Sequence, residues 1–86
     1  MKSLAKALVD VVAFLELSGD DVVDPDSAIA MMESVAAELR QCSAAERAAL
    51  AEAVSTQYQA QKAAGASPRV LEFYSGFMEH LGIGQG

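Results

Sequence analysis

Eight carboxylates crowd the first half of this chain, and they are the side chains whose density most suggests chemistry. They are Asp10, Glu16, Asp20, Asp21, Asp24, Asp26, Glu33 and Glu38, with no lysine or arginine from Ala7 to Leu39. Asp20, Asp21, Asp24 and Asp26 could offer oxygen to a hard cation. A calcium loop of the EF-hand type, however, needs ligands at alternating positions, a central glycine and a distal bidentate glutamate, and this segment lays out none of them. Nucleophilic catalysis needs a nucleophile beside a base, yet the single cysteine, Cys42, and the single histidine, His80, fall on different expected helices. Cys42 reads as a small hydrophobe and His80 as a solvated residue near a helix C-terminus. Acid–base work by paired carboxylates needs an apolar setting that raises a pKa, and no short pattern supplies one. Gly82, Gly84 and Gly86 follow the last expected helix and so cannot open one as a phosphate loop does. The expectation is no catalytic residue, no metal, no cofactor and no enzyme.

What remains of the carboxylates is their field. Twelve acidic against six basic residues leave a formal charge of −6, which disfavours unaided binding to nucleic acid or to anionic lipid and points to a basic protein partner. Glu16, Asp20, Asp21, Asp24 and Glu33 are the candidate docking residues, because complementary charge speeds association and penalises wrong partners. The competing reading is a solvated face that keeps a small protein soluble. One cysteine cannot form an internal disulfide, so a cytoplasmic location is expected. Lys2 and Lys6 precede an apolar stretch that Asp10 and Glu16 interrupt, the pattern of an amphipathic helix rather than a signal peptide. No run of about 18 apolar residues suggests a membrane span.

The elements that must position these residues are all helical. Ser3 is expected to cap a helix to about Ser18, with Leu4, Leu8, Val11, Val12 and Leu15 turned toward a core and Gly19 as the stop. Asp24 before Pro25, with Asp26 in the first turn, opens a second helix to about Gln41 that buries Ala28, Met32, Val35 and Leu39. Ser43 and Glu46 form a capping box for a third, carrying Ala49, Leu50, Ala53, Val54 and Tyr58 inward and ending at Gly65. Ser67 and Pro68 open a fourth, continuous through Val70, Leu71, Phe73, Tyr74, Phe77, Met78 and Leu81 to Gly82, with Ile83 folding back. Connections of about two to six residues favour a small antiparallel four-helix bundle. Residues 1–83 form one domain, and 84–86 a flexible tail.

In size, acidity and helix count the chain resembles the small acidic helical immunity proteins of bacterial DNase toxins. That resemblance implies an inhibitor laid over the cationic groove of a nuclease or other nucleic-acid-binding protein. It is one of architecture. The paired-tyrosine motif of those proteins is absent, Phe73 standing before Tyr74, so no binding residue is carried over. The alternative is a homodimer or adaptor in which Phe73, Tyr74, Phe77 and Met78, on a helix apolar around most of its girth, are covered by a second copy or partner. A weaker alternative is a small-molecule carrier whose site is lined by Met31, Met32 and the C-terminal aromatics.

Overall fold

The structure, a computed structural model, describes residues 2–83. The tail expected at 84–86 lies outside them. Five helices follow in order: α1 (Lys2–Leu17), α2 (Pro25–Leu39), α3 (Ala44–Ala63), α4 (Pro68–Ser75) and α5 (Phe77–His80). Among the described residues there is no strand. The polypeptide is all-α, as its periodicity requires, but the expected fourth helix is two segments divided at Gly76.

Cap chemistry sets most of the helix ends. The Ser27 N–H donates to Asp24 Oδ2 at 2.9 Å with Pro25 at the first helical position, so α2 starts where its orphan amides find an acceptor. At α3 the box closes both ways: the Glu46 N–H donates to Ser43 Oγ at 3.1 Å, and the Ser43 N–H to Glu46 Oε1 at 2.8 Å. The Val70 N–H donates to Ser67 Oγ at α4. Gly65 and Gly82 adopt φ of +78° and +73°, the left-handed region open to glycine at little cost. Each lies in a Schellman closure, with the Ala66 N–H on the Gln61 carbonyl and the Ile83 N–H on the Met78 carbonyl. Helix α1 begins at Lys2, ahead of the expected cap at Ser3.

Removing the Ser43 hydroxyl deprives the Glu46 amide of its acceptor. Ser43→Ala is expected to cost about 1 kcal/mol, lowering the thermal midpoint by roughly 4–8 °C in a domain of this size. A calorimetric scan showing no shift would mean that α3 is held by its packing alone.

The core is small and asymmetric. Helix α3 packs on α1 and on α4, whereas α2 leans only lightly on α1. The buried set is Ala5, Val9 and Val12 from α1, Leu50 and Val54 from α3, and Tyr74, Phe77, Leu81 and Ile83 from the C-terminal segments. Phe73 stands edge-on to both Tyr74 and Phe77, with ring centroids 4.9 and 5.7 Å away, the arrangement that the ring quadrupole favours.

Two expectations about faces are corrected here. Leu4 and Val11, expected in the core, are 75% and 53% exposed, and Ala5 and Val9 take the inward positions beside Val12. The inward line of Ala5, Val9 and Val12 is the one that meets Leu50 and Val54 of α3 and Phe77 in the buried cluster. Helix α2 presents its expected face, but Met32, Val35, Ala36 and Leu39 are only half-buried and none of its residues is fully buried.

Candidate functional site

Helix α2 is laid over the groove left between the end of α1 and the C-terminal segments, and it fills that groove incompletely. A hollow of about 320 Å³ remains, lined by Val12 and Glu16 of α1, Ile29, Met32, Glu33 and Ala36 of α2, and Phe73, Phe77, His80 and Leu81. Burial divides this lining into floor and rim. Val12, Phe77 and Leu81 are buried and Met32, Ala36 and Phe73 half-buried, whereas Glu16, Ile29, Glu33 and His80 are exposed. Two carboxylates and an imidazole thus stand around an aromatic and aliphatic floor.

The fold brings together members of both candidate sets. Glu16 and Glu33 share this hollow with Phe73 and Phe77. Asp20, Asp21 and Asp24 lie apart, exposed, in the turn before α2 where the Val22 and Val23 amides close on the Gly19 carbonyl. Among the described residues no three His, Cys, Asp or Glu side chains converge as a metal site would require, and no helix is long and apolar enough to cross a membrane. Of the four residues expected on an exposed C-terminal face, Tyr74 and Phe77 are 6% and 1% exposed, and Phe73 and Met78 are half-buried. That face is largely consumed by the protein's own core. Met32 lines the hollow as expected of a small-molecule site, but Met31 is half-exposed and outside it.

All eight first-half carboxylates are exposed. The only ion pair among the described residues joins Lys6 Nζ to Asp10 Oδ2 at 2.7 Å, one helical turn apart. Asp24 is held below the usual carboxylate range by the hydrogen bond from the Ser27 backbone, assisted by the Ser27 hydroxyl. The Ser43 backbone and hydroxyl do the same for Glu46. Burial pushes the Tyr74 phenol up, and the nearby Asp10 carboxylate adds to the rise.

The depressed pKa values fix the sign of a pH effect. A carboxyl whose pKa is lower folded than unfolded contributes stability that is fully present above the unfolded value and is lost as pH falls through the folded one. The loss at Asp24 and Glu46 therefore sets in below their ordinary values of 3.8 and 4.5. Asparagine caps as well as aspartate but does not titrate in this range. Asp24→Asn is expected to match the parent above pH 5 and to lose less thermal stability on acidification. Superimposable midpoint-versus-pH curves would show that the Asp24 cap carries no linked proton.

One contributor was missed from the sequence. Arg69, at the start of α4, donates from Nη2 to the Glu16 carbonyl at 3.3 Å and from Nη1 to the Leu17 carbonyl at 3.4 Å. It satisfies orphan carbonyls at the C-terminus of α1, whose last turn carries no basic residue. The cation-free stretch in sequence is therefore not wholly cation-free in space, since the Arg69 guanidinium stands at Glu16 and Leu17. No protein-family model, curated protein or solved structure matches this chain.

Proposed function

We propose that this protein is a non-catalytic binding module whose acidic first half docks on a basic protein, in the manner of an immunity or inhibitor protein. The observation that carries this reading is that the hollow joins Glu16 and Glu33 to an apolar floor. Such a site suits a lysine or arginine projecting from a partner: the alkyl stem lies along Met32 and Phe73 while the cationic head reaches the two carboxylates. Asp20, Asp21 and Asp24, outside the hollow, act at longer range by steering the encounter. A toxin or a nucleic-acid-binding protein has the required cationic surface, and an acidic cover over it would compete with the nucleic acid. The scaffold is read as an antiparallel four-helix bundle whose fourth member is interrupted at Gly76.

The immobilised chain should retain a basic protein from lysate at low ionic strength and release it at high ionic strength. Retention of the same protein regardless of salt would remove the electrostatic basis of the proposal.

A further inference from the structure

A cleft of about 360 Å³ lies between the N-terminal half of α1 and the middle of α3, and it shares no residue with the hollow of Glu16 and Glu33. Lys2 and Lys6 stand on its α1 side, Glu52 and Thr56 on its α3 side, with Ala49 and Ala53 between. The spacing of these residues explains the opening. Lys2 and Lys6 are one turn apart, and Ala49, Glu52, Ala53 and Thr56 recur at steps of three and one residues that keep them on one face of α3. Ala49 and Ala53 are half-buried, whereas both lysines, Glu52 and Thr56 are exposed. Methyl groups are too short to fill the space between two helices, and the long side chains at the edges carry charges that stay in water.

Two of the protein's three lysines meet here, and they are not equivalent. Lys6 Nζ is held by Asp10 Oδ2 at 2.7 Å. Lys2 has no acidic residue in the first turn of its helix and makes no ion pair with a described residue. Glu52 is likewise without an ion-pair partner among the described residues. A cation and an anion thus border one apolar floor without joining each other. A purely anionic ligand would suit Lys2 but meet the Glu52 carboxylate, and a purely cationic one would suit Glu52 but meet Lys2. A molecule carrying both charges answers both walls, and an apolar group on it covers the alanines. Clefts that hold small ligands begin at about 300 Å³, which sets the scale of the occupant.

We propose that this cleft binds a free α-amino acid with an apolar side chain, its carboxylate on Lys2, its ammonium on Glu52 and its side chain over Ala49 and Ala53. Thr56 adds a hydroxyl to the wall that takes the ammonium. Nuclear magnetic resonance titration of the nitrogen-labelled protein with L-leucine and with L-methionine should move the Glu52, Ala53 and Thr56 amides saturably, with a Kd of about 1 mM or below for at least one of them. Glu52→Gln and Lys2→Met, both at exposed positions, should keep the parental circular dichroism and each weaken binding by about tenfold, the loss expected of one hydrogen bond to a charged group. Isocaproate, which is leucine without its ammonium, should bind the parent several-fold more weakly than leucine does, and should bind Glu52→Gln no more weakly than the parent. No saturable shift with either amino acid up to about 10 mM, or a Kd that neither substitution changes, overturns the site. Isocaproate binding as tightly as leucine overturns the role of Glu52.

Discussion

Val12→Asp is expected to unfold this protein, whereas Val11→Asp, one residue earlier, leaves it folded. Val12 is 1% exposed in the cluster that holds Phe77 and Leu81. A carboxylate placed there must lose its hydration without a partner, at a cost of several kcal/mol. Domains of this size hold about 5–15 kcal/mol in total, and this one, whose α2 buries no residue fully, has little reserve. Val11 is half in water, and surface changes of that kind usually stay within about 0.5 kcal/mol. Urea unfolding followed by circular dichroism should give no cooperative transition for Val12→Asp and a near-parental midpoint for Val11→Asp. Equal damage from both would restore the expectation that Leu4 and Val11 face inward.

That pair of outcomes also marks where the sequence stops being readable. Asp24 with Pro25, Ser43 with Glu46, Ser67 with Pro68, and the glycines at 65 and 82 all act on backbone groups within a few residues. Their consequences are local, and a reader of the sequence can follow them. The inward face of α1 is different. Leu4, Leu8, Val9, Val11, Val12, Phe14 and Leu15 spread apolar character over more than half of the helix, so periodicity alone does not choose a side. The choice is made by the rest of the fold, where Ala5, Val9 and Val12 join Leu50, Val54 and Phe77 in one buried cluster. The break at Gly76 is equally hard to foresee, because the backbone ladder runs up to it and away from it. The Gly76 N–H bonds to Glu72 and the His80 N–H to Gly76, so the interruption is one residue wide and sits where glycine is a poor helix former. The hollow belongs to this second class. Nothing local relates Glu16, Glu33 and Phe73, and their meeting depends on how α2 crosses the groove. Arg69 on the end of α1 spans 53 residues of sequence, and the only hint of it is that the last turn of α1 lacks a basic residue of its own.

Charge reversal in the hollow is the sharpest functional consequence of that meeting. Glu33→Lys is expected to weaken capture of the basic partner by at least about tenfold, because close interfacial charge pairs couple by roughly 1.5–7 kcal/mol and reversal replaces attraction with repulsion. Glu33 is exposed on α2, so the fold should survive. Reversing Asp20 and Asp21 together removes more charge but no group that lines the hollow. Its effect should fall mainly on the association rate and should fade as salt is raised. Surface plasmon resonance with the captured partner separates the two cases: a faster dissociation for Glu33→Lys, a slower association for the aspartate pair. If both variants slow association equally and leave dissociation unchanged, the hollow is not where the partner's cation comes to rest, and the acidic first half acts as a diffuse field instead.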